Sequence, residues 1–454
     1  MAYHRYSKYK DCDIPWVKEI PQDWLVTEVR NVFSKNDIKN EKLEENNLLT
    51  LSYGSIKRKS INTAGGLLPA SFDSYQILTK GMIVLRMLDL QNDKNSLRVG
   101  YVPERGIITS AYIGLDSKIE CDTKYFYYLL HFMDLIKHFY NGGGGVRQSI
   151  GFTDFRREKI IIPSTSEQIS IANFLDYKLE KTNRFITKKK QLIALLTEQK
   201  AAIINQAVTK GSDQNVPMKD SGIEWLGEIP EHWEVKPLKY FVTYNDEALP
   251  NSTDKSYKLN YIDISNVNKD GEIDEIIKYT FQDAPSRARR IVKKGDVILS
   301  TVRTYLKAIA KIENDEDVIV STGFAVLRPR ININSEFLNS AVRANYFIET
   351  VCANSFGVSY PAINASDLVT LKLAVPNSVQ EQKEISHFIK TETSKIDKTI
   401  STIEKEITLV EEYKTALISE AVTGKIDVRS FKIPEKEESL AMVAEEASNY
   451  NKID

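Results

Sequence analysis

Arginine and lysine gather at a few places in this chain of 454 residues, and what those side chains do best in clusters is grip nucleic acid. In the first half, Lys57, Arg58 and Lys59 follow an apolar alternation in SYGSIKRKS. Arg86 and Arg98 flank a polar, hairpin-like stretch, and Arg147 and Gln148 close the glycine run Gly142–Gly145. In the second half, Arg287, Arg289 and Arg290 stand in SRARR, Arg303, Tyr305 and Lys307 in TVRTYLK, and Tyr360 in GVSYPAI. Arginine can pair two nitrogens with guanine, glutamine can do the same with adenine, and lysine mostly holds phosphate. A glycine-rich backbone lets amides approach phosphate closely. Any one of these residues could equally be a solvated strand edge, so the clusters carry weight only together. Sixty-one Lys and Arg against 62 Asp and Glu leave a net charge of −1, which neither announces nor excludes a polyanionic partner.

The chemistry that is missing narrows the field as much. No GxxxxGK[ST] phosphate loop occurs, and the glycine run has no lysine after it. There is no Asn/Asp-Pro-Pro-aromatic tetrapeptide of amino-methyltransferases, and no glycine-rich cofactor loop follows a strand. No catalytic residue and no cofactor of the chain's own is assigned. The five histidines are scattered; His131 and His138 share a helical run without further ligands. Cys12, Cys121 and Cys352 are far apart, match no zinc spacing, and fit a reducing compartment. The N-terminus lacks the apolar core of a signal peptide and no apolar run could span a bilayer, so a cytoplasmic location is expected.

The elements that must position the clusters are written twice. Ile14–Trp24 (IPWVKEIPQDW) returns as Ile223–Trp233 (IEWLGEIPEHW), and Glu167–Gly211 returns as Glu381–Lys425. In the second pair, apolar residues recur in alternating steps of four and three, the heptad seam of a coiled coil. Its core includes Leu179, Ile186, Ile193 and Leu196 in one copy and Ile396, Ile403, Ile407 and Val410 in the other, and both are interrupted by a lysine, Lys200 and Lys414. The alternative is two amphipathic helices in separate bundles. Each helix would be about 60 Å long. The short polar link after the first cannot reach back along it, so the second helix runs antiparallel.

The inserts between the repeats read as mixed α/β. LLTLSYG, GMIVLRML, RVGYVP, IITSAYIGL and KIIIP are strands of the first, with a helix over 125–140. KLNYIDISNV, GDVILSTV, LKAIAKI, VIVSTGFAVL and LKLAVP are strands of the second, with a helix over 337–351. The elements come in the same order although the residues differ. The fold class is therefore α+β: two mixed α/β domains at opposite ends of an antiparallel two-helix coiled coil, with a pseudo-two-fold internal repeat. The boundaries are a first domain over 1–165, a long helix over 166–210, a linker over 211–220, a second domain over 221–378, a second long helix over 379–425, and an acidic, partly disordered tail over 426–454. The paired tryptophans Trp16, Trp24, Trp225 and Trp233 open each half; a packing clasp is favoured over base stacking.

These residues carry a resemblance. The two tryptophan segments resemble the opening motif of the specificity subunit of type I restriction–modification systems. GVRQSIGFTDFRREKIIIP running into SEQISIANFLD resembles the end of its target-recognition domain and the start of its helix. VPNSVQEQKEISHFIKTETSKID repeats the latter, while AVTKG and AVTGKIDVR are similar to the helix ends. The resemblance covers the chain apart from the acidic tail. One departure is Tyr360, which stands where the first half has Arg147, so a contact assumed for one half cannot be copied to the other. The resemblance implies a non-catalytic subunit that reads a two-part, asymmetric target in double-stranded DNA. It also implies two modification subunits that use S-adenosylmethionine to methylate adenine, and restriction subunits that use ATP and Mg. Since DNA advances 3.4 Å per base pair, the coiled coil would set the unread spacer. Three rivals stand beside it: a specificity subunit whose methyltransferase and nuclease are fused in one partner, a single-chain DNA enzyme, and a coiled-coil scaffold that binds no DNA.

Overall fold

Two long helices, Thr165–Lys210 and Val379–Val422, organise the chain in a computed structural model that describes residues 3–61, 69, 71–93, 95–141, 148–213, 215–223, 225–357, 359–434, 443 and 448. The chain divides into two units, Met1–Gln191 with Ile403–Asp454, and Leu192–Thr402. Each unit therefore holds one strand-rich domain, part of one long helix and part of the other.

In the first unit an antiparallel sheet runs in the order Phe33–Lys35, Ile113–Ser117, Ile83–Leu85, Val99–Tyr101. Beside it, the hairpin Leu49–Ser52/Ser55–Arg58 meets the pair Gly106–Ile108/Gln76–Leu78 through a parallel bridge between Leu48 and Ile107. Leu25–Glu28 pairs with Lys159–Ile162, and Tyr9–Ile14 with Val17–Pro21. The helix Thr123–Leu135 starts where the Asp122 carboxylate accepts from the Lys124 and Tyr125 amides. It ends sooner than the sequence suggests, because Lys137 turns left-handed and a 3-10 turn, His138–Asn141, follows.

The second unit repeats this topology. Val242–Tyr244, Phe324–Pro329, Val297–Ser300 and Ile309–Lys311 form the first sheet. Ile277–Thr280, Lys258–Ile262, Val318–Ser321 and Ala288–Ile291 form the second, with the central pair parallel. Glu234–Pro237 pairs with Lys372–Val375, and Met218–Asp220 with Glu228–Pro230. The single helix expected over 337–351 is two, Ser335–Val342 and Asn345–Ala353. Ala344 between them is extended, and the Asn345 amide, which a continuous helix would use internally, donates to Asn205 Oδ1 of the long helix at 2.8 Å.

The helix pair is antiparallel within each unit. In the first, Lys414 Nζ donates to Asn183 Oδ1 at 2.6 Å and Lys189 pairs with Glu406 at 2.6 Å. In the second, Lys200 pairs with Asp397 at 2.6 Å, while Ala207 and Val208 share a core with Ile385 and Ile389. Lys200 and Lys414 are thus met at repeat-related positions by unlike partners, an acid and an amide. Ile186, Ile396, Ile403, Ile407 and Val410 are buried, whereas Leu179, Ile193, Leu196, Lys200 and Lys414 are half-buried. Burial holds the Lys414 ammonium below the usual lysine range, aided by Lys190 and opposed by Glu411.

Each domain is latched to the helices by the same residues. Trp24 and Trp233 are fully buried, and their indole N–H groups donate to Glu167 at 3.3 Å and Glu381 at 2.9 Å, in the first turns of the two helices. The neighbouring glutamines, Gln168 and Gln382, are also buried. They accept from the Asp122 amide at 2.9 Å and the Asn334 amide at 2.7 Å, the residues that cap the domain helices. Truncating either tryptophan would cost about 3–5 kcal/mol. Their partners differ: Trp16 packs edge-on against Phe132, but Trp225 is largely exposed. Among the described residues no helix is long and apolar enough to cross a membrane, and no group of side chains could hold a metal ion.

Candidate nucleic-acid interface

In the second unit the loop after Val297–Ser300 carries the expected cluster. Arg303 and Lys307 are both left-handed, φ 51° and 56°, and bracket a 3-10 turn over Thr304–Leu306. Neither is a residue that adopts this region readily, so each costs about 1 kcal/mol or more that the surroundings must offset. They do so through a second loop. The Arg303 amide donates to the Pro361 carbonyl at 2.7 Å, the Ile363 amide to Thr301 at 2.9 Å, and the Thr304 and Ser355 hydroxyls lie 3.1 Å apart. That second loop is closed by reciprocal bonds between Phe356 and Ala362 and turns at Gly357, φ 110°, where a Cβ would come within 3.1 Å of the Tyr360 carbonyl. The pair of loops presents Tyr305, Leu306, Phe356 and Tyr360 to solvent, with the Arg303 guanidinium 4.4 Å above the Tyr360 ring.

The SRARR cluster only partly joins this surface. The Arg287 carbonyl accepts from Thr322, one residue before the Gly323 carbonyl that holds the Thr301 amide and hydroxyl, so Arg287 stands beside the loop. Its guanidinium, however, is paired with Asp263 at 2.6 Å. Arg289 lies over Phe281 at 4.6 Å and donates to the Ala288 carbonyl; Arg290 is half-buried in the strand Ala288–Ile291, its Nε without a partner.

In the first unit Arg98 requires a correction. It is fully buried and donates to the carbonyls of Arg86, Leu88, Asp89 and Asp93 and to the Tyr140 hydroxyl. Its backbone amide donates to buried Asp134 at 2.6 Å. Burial nonetheless pushes the Asp134 carboxyl above the usual range, and hydrogen bonds from Ser96 draw Asp93 below it. Arg98 is the internal strut of the 86–98 loop and cannot also reach DNA. Arg86, half-buried, lies 3.7 Å from Asp93. Gln148 donates its side-chain amide to the Tyr140 carbonyl at 3.1 Å, and Arg147 lies outside the described residues.

Lys57, Arg58 and Lys59 are exposed at the end of the hairpin Leu49–Arg58, and Arg58 is paired with Glu104. The tip of this hairpin touches the 86–98 loop: a Cβ on Gly54 would sit 3.0 Å from Leu97 Cβ. Tyr53 at the tip is left-handed and 78 % exposed. Neither it nor Phe356, 79 % exposed, is among the candidates that charge marks in the sequence. A signal for both is there, an aromatic immediately before a glycine, the pair a tight turn needs in order to push a large ring outward.

The two loop pairs are built alike. Leu90 donates to the Gln148 carbonyl and Ile150 to Met87 in one unit, as Arg303 donates to Pro361 and Ile363 to Thr301 in the other. Gln148 therefore matches Pro361, which places Tyr360 opposite Arg147 in chain position. The Lys57–Lys59 and Arg287–Arg290 clusters, by contrast, sit on elements that do not correspond: the hairpin in one domain and the strand Ala288–Ile291 in the other.

Cationic and aromatic side chains on paired loops suit nucleic acid, and here the supporting topology occurs twice, which defines a duplicated recognition protein. Residues 21–195 and 230–411 match the family described as "Type I restriction modification DNA specificity domain". The chain belongs to that family, whose members supply DNA sequence recognition to type I restriction–modification systems. It is 26 % identical over 348 residues, 73 % of this chain and 76 % of its relative, to the type I restriction enzyme MjaVIII specificity subunit of Methanocaldococcus jannaschii. It is 25 % identical to the putative MjaX specificity subunit of the same organism, over 95 % of this chain and 99 % of the other. In fold it is similar to a chain solved in work on complex assembly and conformational transition of the type I R-M system. That similarity covers 90 % of this chain and 99 % of that one, with TM-score 0.62 at 14 % identity.

Proposed function

We propose that the chain reads a two-part, asymmetric DNA target, one part with each domain, and leaves the chemistry to partner chains. Two modification subunits using S-adenosylmethionine methylate adenine in the target, and restriction subunits using ATP and Mg act on unmodified DNA. Flipping of the target adenine out of the duplex falls to the modification subunit. The supporting observation is the pairing of one backbone topology with two unlike surfaces. Matching loop bonds carry Leu90 and Gln148 in one unit and Arg303 and Pro361 in the other, and the Lys57–Lys59 and Arg287–Arg290 clusters sit on non-corresponding elements. Identical domains would favour a symmetric target; unlike loops on a common frame favour an asymmetric one. Phosphate contacts from Lys57, Lys59 and Lys307 supply affinity, which falls with salt.

The test is a domain exchange in the assembled complex. Replacing residues 25–160 with the same stretch of a relative should change one half of the methylated motif and leave the other half as it was. A change in both halves, or in neither, would end the modular reading. Incubating the purified chain alone with duplex DNA and labelled S-adenosylmethionine should give no transfer; transfer would show that the chemistry resides in this chain.

A further inference from the structure

Resting on this recognition reading, we propose that Arg303 reads a guanine of the second half-site, with Tyr360 as the positioning residue that fixes the plane of its guanidinium. Most other described arginines of the second unit are committed within the fold. Arg287 is bound to Asp263, Arg289 to the Ala288 carbonyl and the Phe281 ring, and Arg328 to Asp296 and Glu247. Arg330 donates to the Val242 carbonyl, and burial draws the Arg343 guanidinium below the usual range. Arg303 is exposed, its guanidinium makes no hydrogen bond or ion pair with any described residue, and it lies over the Tyr360 ring at 4.4 Å.

That contact selects a particular chemistry. A guanidinium held over an aromatic face spends none of its five coplanar N–H donors on that contact. Two of them, side by side, match guanine O6 and N7 in the major groove. A phosphate contact would need charge but no fixed plane, and Lys307, four residues on, supplies charge without one. The root of the side chain is fixed as well. The Arg303 amide is held by Pro361, and Tyr360 is the residue before it, so arginine and ring are set from a single backbone bond of 2.7 Å. In the first unit the matching bond runs from the Leu90 amide to the Gln148 carbonyl, and the Gln148 side chain is tied to Tyr140. At the matching bond the first unit has Leu90 in the place of Arg303, so an arginine at this loop position belongs to the second half-site.

The experiment uses the whole chain with its modification subunits. A random duplex pool is first selected with the unaltered complex; failure to recover any two-part motif would sink the recognition reading itself, independently of Arg303. Each base pair of the second half-site is then replaced singly, and relative affinities are measured for the unaltered complex, R303K, R303A, Y360A and Y360F. The unaltered complex should discriminate roughly 5- to 150-fold at one G·C pair. R303K and R303A should bring that ratio close to one while the ratios of the first half-site stay as they were. Y360A should lose part of the discrimination at the same pair, and Y360F should recover most of it, because the ring and not the hydroxyl carries the stack. Weakening spread evenly over all base pairs, with R303K behaving like the unaltered protein, would make Arg303 a phosphate clamp and overturn the proposal. Unchanged ratios in R303A would overturn it too.

Discussion

The helix ends offer a perturbation with its own internal control. Gly211 and Gly424 close the two long helices, and both are left-handed, φ 77° and 72°. Alanine in that region costs about 1–2 kcal/mol at either position. The surroundings differ. A Cβ on Gly211 would meet the Trp233 ring at 3.6 Å, an ordinary contact. On Gly424 it would lie 2.5 Å from the Pro21 ring and 3.0 Å from Trp24. Pro21 cannot retreat, since it pairs with Tyr9 in the terminal hairpin and is buried, and Trp24 is pinned by Glu167. Overpacking of this kind adds about 1–3 kcal/mol. Gly211→Ala should therefore cost about 1–2 kcal/mol and Gly424→Ala about 2–5 kcal/mol. At roughly 2–4 °C per kcal/mol for units of this size, melting followed by tryptophan fluorescence should separate the two variants by several degrees. Asparagine, which accepts the left-handed region, should rescue position 211 but not 424. Equal losses at the two glycines, or a larger one at 211, would refute the packing contrast.

Three further outcomes are expected. Arg98→Met should destabilise the first unit by about 3–5 kcal/mol, because several loop carbonyls lose their donor inside the fold; denaturant titration should show the loss, and a stable variant with only weaker DNA binding would contradict the strut assignment. Lys57→Ala and Lys59→Ala should each lower the slope of log affinity against log salt by about 0.9 while leaving the motif unchanged; an altered motif would make them base readers. Burial, with Lys414 nearby, draws His131 down to about 4, and its Nδ1 has no partner. A histidine lowered in the folded state withholds a proton that the unfolded chain binds, so stability is whole above pH 6.5 and falls as pH drops toward 4. The loss should be about 2 kcal/mol between pH 7 and 5, and smaller in His131→Phe; identical pH profiles for the two proteins would show that His131 plays no part.

Periodicity made the long helices legible, because a heptad seam that occurs twice fits little besides a coiled coil, and the doubled order of strands announced two copies of one domain. What escaped was set by contacts distant in sequence. The break at Ala344 depends on Asn205, more than a hundred residues away, taking the Asn345 amide. The stretch IITSAYIGL reads as one strand but is two, Gly106–Ile108 and Ile113–Ser117, in different sheets. The candidate site shows the same limit. Charge marked Arg98 and Arg303 alike, yet the carbonyls of one loop enclose the first, while the second is left open on a tyrosine. Nothing within a few residues of either tells which fate applies. Tyr53 and Phe356 carry no charge, and only a turn's need for an outward-facing ring marks them.

The tryptophan–glutamate and glutamine latches have a consequence for how such proteins change. The tryptophans, glutamates and glutamines lie in the repeated segments at the ends of each domain, their partners Asp122 and Asn334 cap the domain helices, and none belongs to the loops around Arg86 or Arg303. The join is therefore indifferent to what the loops carry. Lineages can replace the cargo wholesale and keep the couplings, so descendants should differ most where they touch DNA and least where Trp24, Glu167, Gln168 and their twins stand.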